Sequence, residues 1–159
     1  MSQKSLSRFV KAIIILALCC AAVVYLVLLP ARGNELFGNA PSGAGMRPVW
    51  LTLEALTAIP VLWALVHAWM VARNIGLDRS FSEANAGHLK VVSILAAVDG
   101  GYYLLLSLVF FFIVPRDAVT LLAPAVLVML AAAGSVTAAA LSHLVQKAAR
   151  LQEENDLTI

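Results

Sequence analysis

Residues 121–145 read LLAPAVLVMLAAAGSVTAAALSHLV, a stretch with no Asp, Glu, Lys or Arg. A helix that crosses a bilayer needs about 20 mainly apolar residues at about 1.5 Å of rise each, so this stretch belongs in lipid. Three more runs meet the same requirement: residues 10–29, stopped by Pro30; residues 49–71; and residues 91–114, ending before Pro115. Hydrocarbon offers no partner for open backbone, so each run should be an α-helix. The expected fold is an all-α membrane protein, one four-transmembrane-helix bundle over residues 1–159 with a tail at 146–159.

The chain as a whole is 62% hydrophobic and 13% charged, with a mean hydropathy of +0.91; soluble domains carry about 25% charged residues. A net charge of +2 is too small and too scattered for a nucleic-acid footprint, so no direct nucleic-acid partner is expected. Cys19 and Cys20 are adjacent inside an apolar run and read as small buried hydrophobes, not as a disulfide framework. Lys4, Arg8 and Lys11 give the first run a basic flank, but its length exceeds the roughly 7–15 residues of a leader's apolar core. It is read as a retained span.

Eight Lys/Arg (Lys4, Arg8, Lys11, Arg73, Arg79, Lys90, Lys147, Arg150) fall on one side of this arrangement and three (Arg32, Arg47, Arg116) on the other. Basic loops stay in the cytoplasm, which predicts both termini and the middle loop there. Trp50 and Trp69 suit interfacial anchors at the two ends of span two. Residues 30–48, with Gly33, Gly38, Gly43, Gly45 and Pro41, read as an outer loop of low helix propensity. The loop at 115–120 is short enough to make spans three and four an antiparallel hairpin. Gly134, Ala138 and Ser142 repeat every four residues, the kind of face on which helices approach closely in lipid, and this predicts span four at the bundle centre. Pro60 should interrupt span two by removing a helical hydrogen bond. Phe110, Phe111 and Phe112 point three ways, so at least one should face lipid.

Four ionisable side chains lie within the spans: Glu54, His67, Asp99 and His143. Such groups are costly in hydrocarbon and mark functional sites by default. Counting along the helices puts Glu54 roughly 8 Å below the outer boundary, His67 roughly 6 Å and Asp99 roughly 12 Å above the inner one, with His143 close to the inner boundary. Asp99 precedes Gly100 and Gly101, which admit a neighbouring backbone, and His67 is its expected partner. The pair reads either as a polar pocket or as a hydrogen bond tying two spans together. Glu54 is expected to snorkel to the outer interface. Histidines on two spans also fit a haem in principle, but no ligand spacing supports haem or zinc, and no cofactor or metal is expected. No catalytic triad context or phosphate-binding glycine loop is present, so an enzyme is not expected.

In the middle loop, Ser80 or Ser82 can cap a helix beginning near Glu83. Glu153, Glu154 and Asp156 oppose the helix dipole and should fray the end of span four. Phe81-Ser-Glu-Ala-Asn85 with Leu89, the terminal Glu154-Asn-Asp-Leu-Thr-Ile159, and Ile59-Pro60 in span two resemble the signatures of a bacterial family known as domain of unknown function 2975. The resemblance covers nearly the whole chain. It implies a multi-pass inner-membrane protein of unknown role and, as a gene neighbour, a cytoplasmic helix-turn-helix regulator. Asp99-Gly-Gly and the glycine-rich outer segment are not part of it.

The leading expectation is therefore a non-enzymatic binding or regulatory module in the bilayer, acting with such a regulator. Its docking surface would be Phe81, Ser82, Asn85, Asn155, Asp156, Leu157 and Ile159, and a homo-oligomer is compatible with it. The alternatives are a small-molecule or ion-handling protein with a polar midspan site, and an immunity protein.

Overall fold

The computed structural model describes residues 2–38, 43–113 and 118–156. Among them all regular structure is helical: α1 Gln3–Val23, a π-helical stretch Val24–Leu28, α2 Leu29–Phe37, α3 Gly43–Ala55, α4 Ala58–Gly76, α5 Glu83–Phe111 and α6 Ala118–Asp156. α1 with α2, α3 with α4, α5 and α6 make four helices long and apolar enough to cross a membrane. By length and composition the chain is a multi-pass membrane protein. Ser7 Oγ donates to Ala72 O (2.6 Å), Ser80 Oγ to Gln3 Oε1 (3.3 Å) and Ser142 Oγ to Ala86 O (2.7 Å). The start of α1, the α4–α5 turn and the second half of α6 thus share one end of the bundle, the termini end.

Pro30 does not end span one. Its ring crowds the carbonyl four residues back and it offers no N–H. The wide π turn before it relieves both problems, with Leu29 N–H bonding to Val24 O, five residues back. The helix runs on to Phe37, and α3 already begins at Gly43. The expected outer loop of 30–48 shrinks to the connection after Phe37, of which 39–42 lie outside the described residues. Pro60 does interrupt span two: α3 stops at Ala55, and the turn before α4 is held by Thr57 N–H to Glu54 O and Ile59 N–H to Leu56 O, both 3.1 Å.

α6 is not the central element: it packs chiefly on α5, whereas α4 packs on α1 and α5, and α5 on α4 and α6. Ala86, Ser93 and Gly100 recur at seven-residue intervals along α5 and are buried, facing Ser142, Ser135 and Ala131 of α6. Ser135 Oγ donates to Ser93 O at 2.9 Å, and a Cβ on Gly100 would lie 2.8 Å from that of Ala131. Two long antiparallel helices stay in register on a 3.5-residue repeat, which selects Ala131, Ser135, Ala138 and Ser142. Gly134 falls off that seam and meets nothing within 4 Å, correcting the expected Gly134 face.

Other expectations divide. Phe110 is buried and Phe112 is 78% exposed, so the triplet does point different ways. Trp50 is no interfacial anchor but is buried against Phe37 (5.9 Å between ring centres), Leu106 and Phe110. Trp69 is exposed beneath Lys11 Nζ, 5.5 Å from its ring centre, as an interfacial residue would be. Cys19 and Cys20 are exposed on the apolar surface of α1, not buried. The acidic tail does not fray at Glu153; α6 continues to Asp156.

Candidate functional site

The interruption of span two creates a local need for donors. Thr57 N–H bonds to Glu54 O instead of Leu53 O, so Leu53 O is released from the helical ladder. Tyr102, reaching across from α5, donates its hydroxyl to that oxygen at 2.8 Å. Thr57 Oγ1 donates to Glu54 O at 2.7 Å. That uses its only proton, so Tyr25 must be the donor in the 2.7 Å contact between its hydroxyl and Thr57 Oγ1. Tyr25 belongs to the π-helical stretch of span one. The irregular turns of two neighbouring spans therefore meet at Thr57.

Two carboxyl groups border this knot. Asp99, Tyr102 and Tyr103 share one face of α5 at i, i+3 and i+4. Glu54 supplies the backbone carbonyl that Thr57 bonds, and Asp99 precedes by three residues the tyrosine that bonds to Leu53 O. Glu54 is only 9% exposed, so it is turned into the protein and does not snorkel as the sequence suggested. Asp99 Oδ1 is buried and accepts no hydrogen bond from a described residue. Among the described residues the ion pair is Arg32–Glu35 at 2.8 Å, and neither Glu54 nor Asp99 has a basic partner. A carboxyl in apolar surroundings without a counter-charge must hold a proton or be balanced by a cation. Two such acids can therefore store a proton or small cation within the bilayer.

Asp99 and His67 are not brought together. His67 Nδ1 lies 3.0 Å from Nδ1 of His88, with ring centres 5.1 Å apart. Asp99 stands eleven residues further along α5 than His88, about 16 Å away along the axis. Depth along each helix does not give the register between two helices, and that register sets His67 beside His88. His88, in the second turn of α5, is the partner of His67, and nothing in its local sequence signals that pairing. His143 is exposed on α6. No group of three or more His, Cys, Asp or Glu is placed to hold a metal among the described residues.

The turn residues also separate. Ser82 caps α5 as expected, its Oγ accepting from Asn85 N–H at 3.3 Å. Asn85 is 1% exposed and internal, Ser82 is half-buried, and Phe81, 60% exposed, points outward. Asn155 is exposed on α6, Asp156 ends that helix, and Leu157 and Ile159 lie outside the described residues.

A family model described as "Protein of unknown function (DUF2975)" matches residues 35–159. The match takes in Glu54, Thr57, Asp99, Tyr102 and Tyr103 but leaves out Tyr25 and most of span one. No curated protein and no solved structure matches the chain.

Proposed function

The chain belongs to the DUF2975 family of proteins of unknown function, and we propose that it is a non-enzymatic integral membrane protein that takes up a proton, or a small cation in its place, at Glu54 and Asp99. The observation that supports this reading is two carboxyls without a basic partner among the described residues, Glu54 beside the break in span two and Asp99 one turn along α5 from the tyrosine that bonds to that break. Irregular backbone at membrane depth is tolerated where it is buried in protein or lines a polar space, and ionisable groups there mark proton and ion pathways. Asp99→Asn and Glu54→Gln keep size and hydrogen-bonding capacity while removing the acid. On acidification in weakly buffered mild detergent, wild type should take up one more proton than either variant, as read by a pH indicator. Equal uptake in all three would end the reading.

The Lys/Arg asymmetry supports a cytoplasmic termini end, which would place this site in the outer half of a bacterial inner membrane. With Cys19 and Cys20 replaced by alanine, Gly45→Cys should react with an impermeant maleimide from outside intact cells and Phe81→Cys should not. The reverse pattern would invert the topology. The exposed Phe81 supports a second reading, docking of a cytoplasmic helix-turn-helix regulator on the α4–α5 turn.

A further inference from the structure

Next to Glu54, on the side away from the termini, the outer surface of the bundle opens into a groove of about 570 Å³. Ser107 and Pro124, the next rung of the α5–α6 seam after Gly100 and Ala131, line it. Its walls include Trp50, Tyr103 and Phe110, and also Leu104 and Leu108, which are exposed on the apolar outer surface, so the groove borders the lipid. Its size lies within the range of small-molecule sites, about 300–1,000 Å³.

The lining is apolar apart from a few groups, which selects a lipophilic occupant. Glu54 decides the charge. It is 9% exposed, lines the groove and has no hydrogen-bond donor or ion-pair partner among the described residues. Arg32, which also lines the groove, is paired with Glu35 at 2.8 Å, and Glu54 is the acid of the lining. Trp50, Tyr103 and Phe110 are among the lining residues, and aromatic rings attract a diffuse positive charge. We propose that the groove binds a lipophilic organic cation, whose entry displaces the proton of Glu54 and leaves the site's net charge unchanged. This deepens the proposed function, since it rests on Glu54 being a protonatable acid.

The probe is tetraphenylphosphonium, added to the purified full-length protein in mild detergent. Wild type should bind it saturably and release a proton as it does so. Glu54→Gln should weaken binding by about tenfold or more, equivalent to about 1.4 kcal/mol, while binding of the neutral triphenylphosphine oxide should be unchanged. Ala123→Phe, which projects into the groove from α6, should abolish binding of both compounds yet keep the Asp99-dependent proton uptake as evidence of an intact fold. Equal binding of tetraphenylphosphonium by wild type and Glu54→Gln would overturn the assignment of charge. No saturable binding to wild type, with Asp99-dependent uptake intact, would overturn the groove assignment alone; loss of that uptake in wild type would instead overturn the reading beneath it.

Discussion

Asn85→Ala should destabilise the bundle by on the order of 3 kcal/mol, measured by thermal unfolding in mild detergent. The Asn85 side chain is 1% exposed, and both of its donors are used. Its Oδ1 accepts from Asn74 Nδ2 at 2.8 Å, and its Nδ2 donates to Arg79 O at 3.1 Å and Ser80 O at 3.0 Å. These bonds join the end of α4, the turn after it and the start of α5. The turn needs them because Asp78, at φ 61°, reverses the chain in the left-handed region, which Asp tolerates better than most residues. Alanine would leave two part-buried carbonyls and the Asn74 amide without these partners, each costing about 1–3 kcal/mol where water cannot replace the bond. Asn85→Asp should be no milder, since it keeps the acceptor but loses both donated bonds and buries a charge. A loss below about 1 kcal/mol would show that the turn is held by other means.

Gly100→Leu should be comparably damaging, on the order of 3 kcal/mol, at the upper end of what overpacking costs. Even the first carbon of a side chain would lie 2.8 Å from Ala131 Cβ, closer than such atoms approach. α5 and α6 would have to separate, stretching the Ser135–Ser93 and Ser142–Ala86 hydrogen bonds along the same seam. Gly134→Leu is the control, because nothing lies within 4 Å of that position. It should leave the unfolding temperature near that of wild type. Equal losses at Gly100 and Gly134 would contradict the seam.

The spans were legible because hydropathy over about 20 residues is a local property that lipid enforces. So was the interruption before Pro60, since a missing N–H acts within one turn. Pro30 carries the same signal, yet span one absorbs it in a π turn, an option that residue identity does not reveal. The pairing of histidines shows the deeper reason. Which residue of α5 stands opposite His67 depends on the register between two helices, and that register is set by contacts such as Asn74–Asn85 that no periodicity encodes. For the same reason Glu54 and Asp99 could each be singled out as intramembrane acids, but the inward turn of Glu54 and the bond from Tyr102 to the broken helix beside it could not. The seam on α6 was half visible: Ala138 and Ser142 belong to it, and Gly134 lies off it because the helices follow a 3.5-residue repeat.

Whether Glu54 and Asp99 are exchangeable acids inside the bilayer is measured most directly by infrared titration of the carboxylic-acid carbonyl stretch in lipid nanodiscs. Wild type, Glu54→Gln and Asp99→Asn would be compared across the same pH range. Wild type should show protonated-carboxyl absorption that disappears as the pH rises, with each variant lacking the share contributed by the residue it has lost. Identical spectra from the three proteins, or no protonated-carboxyl absorption from either residue at any pH, would contradict a midspan acid site.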